Sequence, residues 1–190
     1  MPSITRTSNP VTAALLGVIL LALAVTARAE APETLPELVI ADRGELLMDG
    51  EDFSYATWRS DANPGTIHVL QYFGGTMSDS KTFEPFTDLL QASLEPGMVH
   101  VTTIINMDAA TWGTSGFVVS ELKKNKKMHP ESTMVLDEEG VGVKQWNLGK
   151  DGTGLFIVDT QGQVLFFSAD ALTEEELQGN LDLIKAASAS

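Results

Sequence analysis

Thr66 to Ser80 (TIHVLQYFGGTMSDS) is the stretch that most limits what this chain can fold into. Thr66 to Phe73 is a run of β-branched, aromatic and aliphatic residues, with the composition of a strand buried on both faces. Gly74-Gly75 breaks the run, and Ser78, Asp79 or Ser80 can cap a helix that follows. Strand, glycine turn and helix start, in that order, build an α/β domain and a site together. The helix end would offer free N–H groups and a partial positive charge to whatever occupies the turn.

The chain around this stretch divides into three parts. Residues 1–29 read as a secretory signal peptide. They comprise a basic start with Arg6, an apolar run from Val11 to Ala27, and the small-x-small signal Ala27-Arg28-Ala29. Residues 30–37 are a proline-bearing acidic lead-in, and residues 38–190 are one domain, long enough to bury a core. Export would carry the chain out of the cytoplasm. Loss of Arg6 and Arg28 with the leader takes the formal charge of −14 further negative, to −16. So acidic a surface repels phosphates, which argues against nucleic acid and anionic membrane as partners. The chain has no cysteine. Disulfides, thiolate nucleophiles and cysteine-bound metals are therefore excluded together.

Periodicity supplies the elements. Leu38-Val39-Ile40 and Glu45 to Met48 are expected as two short strands around a turn at Asp42-Arg43-Gly44. Asp49-Gly50 is a hairpin dipeptide leading to a strand with Phe53 and Tyr55. Phe83, Phe86, Leu89, Leu90 and Leu94 form one helical stripe, with Pro85 either in the first turn or at a kink. Met98 to Asn106 is a second buried strand. A helix capped by Thr114 or Ser115 follows, facing Phe117, Val118 and Leu122 inward. Thr133 to Leu136 and Val141 to Trp146 are expected as strands, then Leu155 to Val158 and Val164 to Phe167. Thr173 and Glu176 form a capping box, stapled by Leu172 and Leu177, on a helix that buries Leu177, Leu181 and Ile184. Strands alternating with helices, then a hairpin and a last helix, give an α/β sandwich with a mixed sheet.

Several short motifs recur in order along the domain. They include Asp42-Arg43-Gly44-Glu45-Leu46, Phe53-Ser54-Tyr55-Ala56-Thr57-Trp58, His68-Val69-Leu70-Gln71 and Thr102-Thr103-Ile104-Ile105-Asn106 with Asp108. Asn125-Lys126-Lys127 with Pro130, and Gly140-Val141 with Trp146, continue the series. On these the chain resembles the YtfJ-type family of periplasmic proteins, from about Leu38 to Ile184. The resemblance implies a thioredoxin-like sandwich, with a mixed central sheet, helices on both faces and an amino-terminal hairpin. It carries fold and compartment, and little chemistry. Secreted thioredoxins hold two reactive cysteines at the turn that here reads Gly74-Gly75-Thr76-Met77-Ser78, facing a cis-proline. The matching register puts Thr153 or Gly154 at the proline's place. Both hallmarks of disulfide chemistry are missing, so no oxidoreductase or peroxidase residues carry over.

Two loops and one helix end are the candidate sites. Gly74, Gly75, Thr76 and Ser78 are expected to bind a ligand, with Thr153 and Gly154 opposite, and close approach at the two glycines is the key requirement. Alternatively, the glycines make the turn and Ser78 caps the helix. Asn106, Asp108, Trp112 and Ser115 follow a strand's carboxyl end, where open α/β sheets bind ligands. Asp108 could hold a metal, act as a general base, or order its loop by accepting N–H bonds. Lys123, Lys124, Lys126 and Lys127 could form a partner patch, or oppose the dipole at a helix C-terminus. His68, His100 and His129 are dispersed, with core or edge roles, and no motif for a metal or other cofactor is visible. The expected function is a non-catalytic periplasmic module that binds a protein or small molecule. The alternative is a cysteine-independent enzyme, with metal- or water-assisted hydrolysis near Asp108.

Overall fold

The computed structural model describes residues 33–62, 65–149 and 152–189. The leader with its cleavage signal, and the start of the lead-in, lie outside these residues. β1 (Val39–Asp49) and β2 (Asp52–Arg59) form the amino-terminal hairpin about Asp49-Gly50. β1 is one strand, not the two expected. Its pairing with β2 shifts between Ile40 and Glu45, and Gly44 sits there at φ 73°, where a Cβ would run into the Ala56 carbonyl. The residues read as a turn are thus absorbed as a bulge that only glycine permits.

β3 (Ile67–Gly74) is buried at every position, as its composition requires. It pairs in parallel with β4 (Val99–Asn106), and β4 in parallel with β5 (Thr133–Asp137). α1 (Glu84–Ser93) and α2 (Ser115–Met128) make these two crossovers in the same direction, so right-handedness puts both on one face of the sheet. α3 (Val141–Gln145) then carries the chain back past β3 to β6 (Gly154–Val158), on the opposite face. β6 runs antiparallel to β3, and β7 (Val164–Ser168) antiparallel to β6. The sheet order is β2-β1-β5-β4-β3-β6-β7. α4 (Glu174–Ser188) closes the domain behind the Thr173–Glu176 capping box, with both reciprocal bonds made. The core accordingly has two halves. Phe73, Phe83, Phe86, Leu90, Leu122, Leu181 and Ile184 fill the α1, α2 and α4 side, with Leu172 and Leu177 packed against them. Leu38, Ile40, Trp58, Leu70, Tyr72, Trp146 and Phe156 fill the α3 side.

Three local expectations are corrected. Val141 to Trp146 is not a strand: residues 141–145 form α3. Its alternating valines imitate a strand, but buried Asp137 accepts from the Val141 and Gly142 N–H groups at 2.9 and 2.8 Å, and this carboxylate starts a helix. The helix after the glycine turn does not begin at Ser78. Residues 79–81 make a single 3₁₀ turn and α1 begins at Glu84, with Pro85 in its first turn and no kink. Neither start has a side-chain cap. Phe117 is not packed into the core: it is 53% exposed, and Leu122 is the buried apolar side chain of α2.

Candidate functional site

The carboxyl ends of β3 and β4 hold the first two candidate loops side by side. The Gly75 N–H donates to the Asn106 carbonyl at 2.9 Å, which prolongs the β3–β4 pairing past Gly74. Thr76 then folds back, its N–H donating to the Gly74 carbonyl at 2.8 Å, and its hydroxyl accepts from the Asp79 N–H at 3.2 Å. Both glycines are buried. A Cβ at Gly74 would strike the Asp79 carboxylate, and one at Gly75 would sit 3.0 Å from the Ala110 methyl and 3.3 Å from the Asn106 carbonyl. The close approach expected of a ligand at these glycines is therefore made by the chain itself. Ser78 is exposed and its side chain caps nothing. Only the short 3₁₀ turn of residues 79–81 starts here; α1 begins further on, at Glu84.

Thr153 and Gly154 lie beside the end of β3, with Gly154 opposite Tyr72 in register. The Thr153 hydroxyl donates to the Ala169 carbonyl at 2.6 Å, and Leu148, Phe156 and Phe167 crowd Gly154. Both positions thus do structural work. Asp108 is exposed, and only its N–H is bonded, donating to the Asn106 side-chain oxygen at 3.1 Å. Asn106, not Asp108, is the residue that orders this loop. Trp112 stands at the loop's tip, 97% exposed. Among the described residues no group of three His, Asp or Glu side chains is placed to hold a metal ion.

The four lysines of α2 do not form one surface. Lys126 is buried, with its ammonium donating to the Pro130 and Ser132 carbonyls at 3.0 and 2.6 Å. Lys123 and Lys127 lie over the Phe53 ring of β2, Lys127 also pairing with Glu51, and Lys124 pairs with Glu121. The cluster fastens the end of α2 to the hairpin and to its own exit loop. His68 and His100 are neighbours across β3 and β4, their rings 5.2 Å apart, each bonded to a threonine. Burial pushes the His68 imidazole down to about 3, with His100 adding to the effect. Burial also lowers His100, and the Lys126 charge lowers it further. His68 is thus a core histidine, and His100 is half-buried beside it.

What the sequence did not reveal is a groove of about 640 Å³ between α1 and α2. Its floor is the helix-side face of β3, β4 and β5, with Phe73, Val101, Ile105 and Met134 around one polar pair. Gln71 is that pair's centre. Only 7% exposed, it donates from its amide to the Thr103 hydroxyl at 2.8 Å, and its carbonyl receives a long bond from Thr87 at 3.4 Å. Gly74, Gly75, Thr76 and Met77 close one end, while Thr111, Thr114 and Phe117 flank the mouth. A glutamine on the helix-side face of β3, between Val69 and Phe73, was the one visible signal, and it names no partner residues on the helices.

The chain matches the model of a family described as "Bacterial protein of unknown function (YtfJ_HI0045)" over residues 30–187. It belongs to that family. The YtfJ assignment agrees with a relative in Escherichia coli K12 with the printed name "Uncharacterized protein YtfJ". The two are 36% identical over 157 residues, covering 82% of this chain and 85% of the relative. Among solved structures, a thioredoxin-like superfamily protein superposes with a TM-score of 0.58 at 12% identity, covering 84% of this chain and 98% of that one. A secreted thiol-disulfide isomerase from Corynebacterium glutamicum gives 0.54 at 12%, with 82% and 86% covered. At such identities the likeness is one of fold. This YtfJ chain is thioredoxin-like and carries no thiol.

Proposed function

We propose that this YtfJ-family protein is an exported, non-catalytic binding module of the periplasm, recruiting a partner at the carboxyl end of its sheet. The supporting observation is the exposed apolar rim there. Trp112 is 97% exposed, Met77 64% and Phe117 53%; among the other described large apolar side chains only Met128, at the far end of α2, is as exposed, at 55%. Large aromatic and methionine side chains left in water beside a groove are the residues that anchor partners. Among the described residues every buried side-chain nitrogen and oxygen has at least one bonding partner, which fits a scaffold presenting a surface better than a reaction centre. A hydrolytic role for Asp108 has less support, since its carboxylate is exposed and neither a histidine nor a second carboxylate is bonded to it.

The test is capture from periplasmic extract with wild-type protein and with Trp112→Ser/Met77→Ser. A partner retained by the wild type and lost by the variant supports the reading; equal recovery removes the rim from it. Export itself is checked by intact mass, which should show cleavage between Ala29 and Glu30.

A further inference from the structure

The groove between α1 and α2 has two unlike walls. α1 turns Glu84, Thr87, Asp88 and Gln91 into it, a stripe without an apolar residue, while its own Phe86 and Leu90 are buried elsewhere. α2 turns in Phe117, Val118 and Leu122, interspersed with Glu121 and Asn125, over a floor that is apolar except at Gln71 and Thr103. Glu84 and Asp88 are exposed and have no ion-pair partner among the described residues, and Glu121 on the opposite wall is paired with Lys124 at 3.5 Å. Lys81, at the mouth, is the one lysine or arginine among the lining residues. Deep in the floor, Gln71 uses one of its two amide N–H donors on Thr103 and keeps the second.

We infer that this groove binds an extended polypeptide segment of a partner in which cationic and apolar side chains alternate. Successive side chains of an extended segment point in opposite directions. Laid along the groove, one set meets the carboxylates of α1 and the other Phe117, Val118 and Leu122 of α2. Gln71 stands beneath such a backbone, with an amide hydrogen for one of its carbonyls. The α2 stripe from Thr114 to Asn125 is roughly 17 Å long at about 1.5 Å per residue, which is about five residues of extended chain. The volume of 640 Å³ lies within the roughly 300–1,000 Å³ of built ligand sites. This inference rests on the binding reading above and names the chemistry of the partner.

The probe is a fluorescein-labelled hexapeptide of alternating lysine and leucine, titrated by polarisation against the mature chain. A glutamate-leucine hexapeptide and spermidine serve as competitors. The lysine-leucine peptide should bind, and neither competitor should displace it at tenfold excess. Glu84→Gln/Asp88→Asn should weaken binding at least fivefold, as should Phe117→Ala. Glu174→Gln/Glu175→Gln, which removes as much charge from α4, should leave binding unchanged. No binding, equal loss on the α4 variant, or displacement by spermidine would each overturn the inference in favour of none or of bulk charge. Concentration-dependent dimerisation abolished by Phe117→Ala would also overturn it, giving the groove to a second copy. The binding reading itself fails only if Trp112-dependent capture also fails, so the two outcomes are distinguishable.

Discussion

Gln71 and Tyr72 are neighbours on β3, and their side chains leave the sheet on opposite sides. The two sides are finished differently. Tyr72 is wholly buried, its ring edge-on to Trp146 and pressed against Gly142 of α3, where any Cβ would collide with it. Its hydroxyl donates to Asp137 at 2.7 Å, and Asp137 in turn starts α3. Burial, then the bond to Asp137, pushes the Tyr72 phenol well above its ordinary range, so it remains a donor. Trp146 finishes the layer by donating from its indole to the Pro36 carbonyl at 2.8 Å. Gln71 on the other side is also buried, but the two helices above it do not meet, and its bonds line an open groove. A sheet face that is sealed by its own chain serves stability. One left uncovered, with polar groups arranged in it, is available for something else.

The sealed side should give the largest losses. Asp137→Ala leaves the Tyr72 hydroxyl and two N–H groups of α3 without their acceptor, at roughly 1–3 kcal/mol for each buried group left unmet. Urea midpoints should show a loss of about 4 kcal/mol after some of these find water. A loss under about 1 kcal/mol would mean that α3 does not depend on its cap. Under the helices of the other side, Leu181→Ala should cost about 2–4 kcal/mol, as a large-to-small change at a side chain 3% exposed. That outcome would show that the groove is a local opening over a well-packed half-core, not a sign of loose packing throughout.

A third prediction concerns acid. His68 lies on the Tyr72 side by alternation, bonded to Thr102 at 2.7 Å, and is held down to about 3 from an ordinary 6.5. A group depressed in the folded state contributes stability that is present above about pH 6.5 and is lost as pH falls toward 3. Between pH 7 and pH 4.5 the loss from this residue should be about 2–3 kcal/mol, at 1.36 kcal/mol per unit. His68→Gln keeps a partner for Thr102 and cannot titrate, so its stability should fall less over the same interval. Equal slopes would exclude His68 as the source.

The contrast between the two sides was only half legible in the sequence. Thr66 to Phe73 could be read as a buried strand because burial on both faces leaves one continuous apolar signature. The Thr173–Glu176 box was legible because its partners are three residues apart. Val141 to Trp146 was misread because its alternating valines imitate a strand, and the carboxylate that starts its helix comes from Asp137, ahead of a left-handed Gly140 at the N-cap position. Lys126 looked like a surface charge among lysines, and only the fold shows the Pro130 and Ser132 carbonyls that take its ammonium inside. Gly74 and Gly75 were legible as necessary, but not as necessary to Asp79 and Ala110. The groove was invisible because it is a gap between two helices, and a gap depends on their spacing.

The smallest expected effect is the one that separates the two sides most cleanly. Gln71→Leu keeps a similar volume and removes the amide from the floor of the groove. Were Gln71 a structural counterpart of Tyr72, losing its bond to Thr103 should cost as much as an unmet buried hydrogen bond, roughly 1–3 kcal/mol. Thr103, however, is only half-buried and faces the groove, so water can replace the lost amide. The leucine also adds apolar surface beside Val101 and Ile105. The two effects oppose each other, and the net change in urea-measured stability should stay within about 1 kcal/mol of zero. The same substitution removes the hydrogen that would meet a bound backbone, so the lysine-leucine hexapeptide should bind several-fold more weakly while the fold is unaffected. A large loss of stability would instead make Gln71 part of the core and leave both faces of β3 structural.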